Sequence, residues 1–187
     1  MEYAYSCYSL KIISELELPE LGTNPSLGGV SDVTIRFSDL PASGLPEGTQ
    51  IAPFIWLKTD TFMFEVPQVA RFLISGGSDI AIDPAPGIDE ASLRVFLLGS
   101  AFGALLLQRG LFVLHGNAIE IDGQCLICVG PSGIGKSTLT AAFMKRGYRV
   151  LADDVVPIDD NGFAIPGFPR IKLWQDVADK MAIDTVN

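Results

Sequence analysis

Positive charge is scarce in this chain of 187 residues: thirteen Lys and Arg stand against twenty-two Asp and Glu, a net charge of −9. That balance excludes broad binding to nucleic acid or to an anionic membrane surface, although it leaves room for a local phosphate site. Cysteine is scarce as well, and three residues, an odd number, do not make a disulfide scaffold. Cys125 and Cys128 have C-x-x-C spacing, but they fall in a predicted strand, where side chains three apart face opposite ways. Burial as small apolar groups is therefore favoured over a redox or zinc role. Long apolar runs are missing: Val95 to Leu107 holds thirteen residues, short of the roughly twenty that span a bilayer. The start, Met1-Glu2-Tyr3, has no basic segment and no small-residue cleavage site, so no secretory signal is read and a cytoplasmic location is expected.

Glycine and proline are plentiful, and one cluster of them carries chemistry. Gly130-Pro131-Ser132-Gly133-Ile134-Gly135-Lys136-Ser137-Thr138 matches the phosphate-binding P-loop, G-x-x-x-x-G-K-S/T. The context is right. Gln124 to Val129 reads as a short apolar strand, and Ser137 to Arg146 reads as a helix that Gly147 ends. Glycines at 133 and 135 let the backbone approach a phosphate, and amides at the helix start point at the anion. Lys136 supplies a positive charge, and the Ser137 hydroxyl can reach Mg²⁺.

The first 86 residues read as a β-rich subdomain, with strands expected at Tyr8 to Leu16, Asp32 to Phe37, Ile51 to Leu57, Thr61 to Val66, Ala70 to Ser75 and Asp79 to Ile82. Gly22 to Gly29 and Pro41 to Gly48 have loop composition, and Gly76-Gly77 makes a turn. Residues 87–187 are expected to form the P-loop core. Asp89 offers an N-cap for a buried helix that runs to about Arg109, where Gly110 stops it, and small Gly99, Ser100, Ala101, Gly103 and Ala104 would let it approach a sheet closely. Strands follow at Phe112 to Leu114 and Asn117 to Ile121, and Asp122-Gly123 is a two-residue hairpin signal, so the strand entering the P-loop pairs antiparallel with its predecessor. In the helix after the loop Leu139, Ala142 and Phe143 form the expected inward stripe. Tyr148 to Ala152 then delivers Asp153-Asp154, a second hairpin turns at Asp159 to Gly162, and Trp174 to Met181 suits a short helix.

Phosphoryl transfer needs a phosphate cradle, a divalent ion and a group that accepts or positions the hydroxyl. Ser137 and one carboxylate of the Asp153-Asp154 pair suit the ion, and the other carboxylate suits the proton. Adjacent residues on an ideal strand point opposite ways, so shared use of both requires the strand to have ended there. His115, the only histidine, precedes the hairpin that feeds the P-loop.

His115-Gly116, the hairpin, Gly130 to Ser137, the helix ending Lys145-Arg146-Gly147, and Ala152-Asp153-Asp154 together resemble the catalytic domain of HPr kinase/phosphorylase, a P-loop serine kinase family. The resemblance covers residues 111 to 158. It implies an α/β fold with a mixed sheet, similar to phosphoenolpyruvate carboxykinase, and an ATP- and Mg²⁺-dependent serine kinase. In that reading Gly130 to Thr138 binds the nucleotide, Ser137 and Asp153 hold the metal, Asp154 accepts the proton, and His115 and Lys136 complete the catalytic set. Tyr8-Ser9-Leu10, Leu18-Pro19-Glu20-Leu21 and the stretch from Pro166 to Trp174 look more like HPr-kinase-related proteins of peptide gene clusters, including kinases for lasso-peptide precursors. The implied acceptor is then a peptide or small protein. A non-catalytic nucleotide-binding or regulatory module and a small-metabolite kinase are the competing readings. Only fifty-seven residues follow Gly130, which suggests a truncated core or one completed by another subunit, as in a homo-oligomer.

Overall fold

A computed structural model describes residues 2–22, 30–131 and 133–168, and the chain divides into two units, Met1–Leu111 and Phe112–Asn187. The expected helix at Trp174 to Met181, most of the Gly22 to Gly29 loop, and Ser132 lie outside the described residues.

The first unit is an eight-stranded sheet. Its first hairpin joins β1 (Tyr3–Cys7) to β2 (Leu10–Ser14), and the strand expected over Tyr8 to Leu16 is interrupted because Tyr8 and Ser9 both take positive φ, 52° and 61°. That two-residue left-handed geometry matches the twist of the strands it joins. β2 pairs in parallel with β3 (Val33–Phe37), which pairs in parallel with β8 (Asp79–Pro84). From β8 an antiparallel run leads through β7 (Ala70–Ser75), β6 (Thr61–Val66) and β5 (Ile55–Lys58) to β4 (Thr49–Ala52). The strand expected over Ile51 to Leu57 is thus two strands. Pro53 fixes one turn angle and Phe54 takes φ 63° behind it, reversing the chain.

The helix begins as expected: the Asp89 carboxylate accepts a hydrogen bond from Ser92 N at 2.8 Å and caps α1 (Glu90–Phe96). A π-helical turn over Leu97–Ala101 leads into α2 (Phe102–Gln108), and Gly110, at φ 81°, ends it. Its stretch from Glu90 to Gln108 is long and apolar enough to cross a membrane by length and composition, but the helix packs on β7 as a core element. Of the small residues Ala101 is fully buried, but Ser100 and Gly103 do not make that contact. A Cβ on Gly103 would meet nothing within 4 Å and Ser100 is exposed, whereas Leu93, Leu97, Ala101, Phe102, Leu105 and Leu106 are buried. Because its stripe of leucines seals β7, the helix belongs to the first unit, and the division falls after Leu111 rather than after residue 86.

The second unit is organised on β9 (Phe112–Ile121), one continuous ten-residue strand where two short ones were expected. Asp122 and Gly123 make the predicted hairpin turn, with φ 49° and 77°, and return the chain along β10 (Gln124–Val129). The other edge of β9 is covered by β11 (Arg149–Ala152) and then β12 (Val155–Ile158), both antiparallel to it. The mixed sheet is real, but its parallel pairs lie in the first unit; the described pairings of the second are antiparallel. Between β10 and β11 runs α3 (Lys136–Lys145), which packs on β9. Its inward side is Thr140 and Ala141, not the Leu139 stripe: Leu139 is 47% exposed, while Thr140 is fully buried with its hydroxyl donated to Lys136 O. On the opposite face Ala118, Leu151, Ala152 and Val156 form a small core, with Leu114, Ile127 and Ala164 against it.

Candidate active site

The site is assembled along β9. On that strand side chains alternate, so His115 and Asn117 share one face and Gly116 lies on the other. Across the edge, Ala152 pairs with Ala118 and Val155 with His115, so the two residues Asp153-Asp154 sit opposite Gly116-Asn117, where the pairing along β9 breaks between β11 and β12. A regular strand would send the two carboxylates to opposite faces. Instead Asp154 takes φ 76°, and its backbone carbonyl still accepts from Gly116 N at 3.2 Å. The left-handed residue cancels the alternation, and both carboxylates reach the His115–Asn117 face: Asp153 Oδ1 accepts from Asn117 Nδ2 at 2.6 Å, and Asp154 Oδ1 lies 3.1 Å from His115 Nδ1. The condition for joint use of the pair, an interrupted strand, is met.

Their surroundings differ. Asp153 is 4% exposed, whereas the Asp154 side chain keeps 30% of its surface and His115 61%. Asp153 is therefore sheltered and fixed, while Asp154 stands where a reacting group can arrive.

The loop from Gly130 to Gly135 follows β10. Gly130, Gly133 and Gly135 have φ of 153°, 82° and 102°, conformations that side-chain-bearing residues rarely take. Gly135 precedes the first residue of α3 and its carbonyl accepts from Leu139 N, which leaves the amides of Lys136, Ser137 and Thr138 without intrahelical partners, as at any helix start. Those amides and the helix dipole make a ready anion site. Lys136 folds back over the loop, its Nζ donating to Gly130 O at 2.8 Å and to Pro131 O at 3.2 Å. Ile134 and Thr138 face outward, with Ile134 67% exposed.

Gly116 is required for a different reason. A Cβ there would lie 2.5 Å from Cys128 O and 3.1 Å from Val129 Cγ1, so the close pairing of β9 with the strand entering the loop admits only glycine.

One residue of the site was not singled out from the sequence. Asn117 is 1% exposed, and its Nδ2, besides holding Asp153, lies 3.5 Å from Ser137 Oγ. A buried amide left unpaired costs about 1–3 kcal/mol, so an asparagine between His115-Gly116 and Ala118-Ile119 in a buried strand asks for polar partners. That cost was the available signal.

Ser137 and Asp153 offer a hydroxyl and a carboxylate, oxygen donors of the kind that small hard cations such as Mg²⁺ take. Among the described residues no group of three or more His, Cys, Asp and Glu could hold a metal alone. A cation here would need further ligands such as phosphate oxygens and water, the usual arrangement for Mg²⁺. The C-x-x-C pair is two free thiols, Cys125 exposed and Cys128 half-buried.

Comparison with known proteins falls on the same segment. Residues 110–168 match the family model of the HPr Serine kinase C-terminal domain, and that segment contains every residue described in this site. The HPr kinase/phosphorylase of Lactobacillus johnsonii is 42% identical over 133 residues, covering 65% of this chain and 42% of the relative. That of Bacillus pumilus is 40% identical over 112 residues, covering 59% and 33%, and that of Clostridium beijerinckii 41% over 61 residues, covering 32% and 20%. Residues 110–168 are thus similar to the C-terminal domain of HPr kinases. The chain spans less than half the length of these relatives, and none of the three is a kinase of a peptide gene cluster. No solved structure matches the chain, so the expected likeness to phosphoenolpyruvate carboxykinase gains no support from that side.

Proposed function

We propose that the second unit carries an ATP-dependent kinase site that phosphorylates a serine hydroxyl on a peptide or small protein. The observation that supports this best is the pair of carboxylates brought to one face by the left-handed Asp154, one buried against Asn117 and the other open beside His115. A P-loop alone speaks for phosphate; two differently exposed carboxylates beside it suit transfer to a hydroxyl.

Gly130 to Thr138 would cradle the nucleotide phosphates, with Lys136 leaving the Gly130 and Pro131 carbonyls to meet them. Ser137 and Asp153 would hold Mg²⁺, which when bound neutralises charge on the phosphates. Asp154 would take the acceptor proton as the new oxygen–phosphorus bond forms and the bond between the β- and γ-phosphates breaks, releasing the diphosphate. His115 would orient the Asp154 carboxylate. A lasso-peptide precursor is one acceptor of the proposed class, on the strength of the likeness of Tyr8-Ser9-Leu10 and Leu18-Pro19-Glu20-Leu21 to such kinases. A small metabolite ranks lower, because no sugar or nucleoside pocket is legible in residues 1–110.

Incubation with γ-labelled ATP, Mg²⁺ and candidate peptides should place label on serine. Label released only as inorganic phosphate would count against the acceptor. Nucleotide that raises the melting temperature with no turnover would favour a non-catalytic binding module.

A further inference from the structure

We infer that Asn117 is a positioning residue, which holds the Asp153 carboxylate and the Ser137 hydroxyl as a fixed pair of oxygen ligands for the divalent cation that accompanies the nucleotide. The inference rests on the kinase reading above and goes beyond it, since neither the P-loop pattern nor the aspartate pair contains position 117.

The geometry is specific about direction. A carboxylate only accepts hydrogen bonds, so the amide nitrogen of Asn117, and not its oxygen, must face Asp153, as it does at 2.6 Å. The same nitrogen carries a second hydrogen, and that hydrogen is directed to Ser137 Oγ, at the outer limit of hydrogen-bond distance, 3.5 Å. One primary amide therefore reaches a residue from each of the two elements proposed to supply metal ligands, the break after β11 and the first turn of α3. Being 1% exposed, it is held by the strand around it and does not exchange these partners for water.

The consequence is electrostatic as well as steric. Nδ2 occupies one lone-pair direction of each oxygen, which fixes how the two oxygens are turned relative to one another. Groups that orient metal ligands in this way typically change metal affinity or activity by about 10- to 100-fold when removed. A strand residue with apolar neighbours Ala118 and Ile119 would otherwise be better served by valine or leucine, which need no partner.

The test reads metal binding separately from turnover. Nucleotide affinity of the full chain is titrated calorimetrically without metal and across a Mg²⁺ series, with Mn²⁺ bound to the protein–nucleotide complex followed by electron paramagnetic resonance. Asn117→Leu should raise the half-saturating Mg²⁺ concentration about 10- to 100-fold and broaden the Mn²⁺ signal, while metal-free nucleotide affinity stays within about threefold. Asn117→Ser, too short to span both partners, carries the same expectation where the leucine variant proves unstable. An unchanged Mg²⁺ requirement in a folded variant would overturn the role of Asn117 and leave the kinase reading standing. A wild-type chain whose nucleotide binding ignores Mg²⁺ would overturn both.

Discussion

His115 Nδ1 and Asp154 Oδ1 lie 3.1 Å apart, joining the end of the exposed part of β9 to the left-handed residue between the two strands that cover its edge. An aspartate at φ 76° would be ordinary in a turn; here, between two strands, that angle brings its carboxylate beside the imidazole.

Asp154→Asn should lower phosphoryl transfer about a hundredfold to ten-thousandfold, the usual range for a lost general base, with nucleotide affinity nearly unchanged. His115→Ala should slow transfer less than that, since it removes only the orienting contact. Rapid-quench assays beside calorimetric titration separate the two effects, and full activity in Asp154→Asn would remove that residue from the base role.

Lys136→Ala should weaken nucleotide binding roughly ten- to a hundredfold, corresponding to about 1.5–3 kcal/mol for hydrogen bonds from a charged donor. The fold should hardly change, because the bonds that Lys136 makes within the loop join a half-buried ammonium to two carbonyls that can turn to water instead. Equal affinity in the variant would place the phosphates elsewhere.

Gly116→Ala should destabilise the second unit by about 1–3 kcal/mol, as overpacking against backbone does, because Cys128 O cannot move without shifting β10. Gly103→Ala is the contrasting case. With open space around its Cβ position in α2, it should be neutral or stabilising by up to about 1 kcal/mol. Urea denaturation of both variants checks the contrast.

The Asp89 carboxyl is held below the usual carboxylate range by hydrogen bonds from the backbone and hydroxyl of Ser92. A depressed folded pKa means that the cap stabilises α1 fully above the unfolded value, near 3.9, and is lost as pH falls through the folded value. Asp89→Ala should therefore melt at lower temperature than the parent at pH 7, and the gap should close as the pH is lowered through and below the unfolded value. A constant gap down to pH 2 would deny the cap its role.

What was legible in the sequence was local. The strand, loop and helix of residues 124–145, the Asp122-Gly123 hairpin and the Asp89 cap each depend on a few neighbouring residues with strong conformational preferences, and each stands within a residue or two of where it was read. The breaks at Tyr8-Ser9 and Pro53-Phe54 were hidden because tyrosine, serine and phenylalanine occupy left-handed turns that sequence reading reserves for glycine and asparagine. Leu139 misled because Thr140 satisfies its own hydroxyl on Lys136 O and can be buried in its place. The two aspartates were paired from the sequence, but not the reason their carboxylates share a face. That reason is a backbone angle at Asp154 and a partner, Asn117, contributed from thirty-six positions upstream.

Because β9 is paired along both edges, its alignment with its neighbours also decides which chains can work at all. A slip of one residue would carry His115 and Asn117 to the far face together, leaving a compact protein with its hairpin and loop present but both aspartates deserted. Gly116 guards against that error, for any other residue brought opposite Val129 would carry a Cβ into Cys128 O. Activity in a refolded sample should thus count correctly aligned molecules, and would fall short of the folded fraction by the proportion that had mispaired.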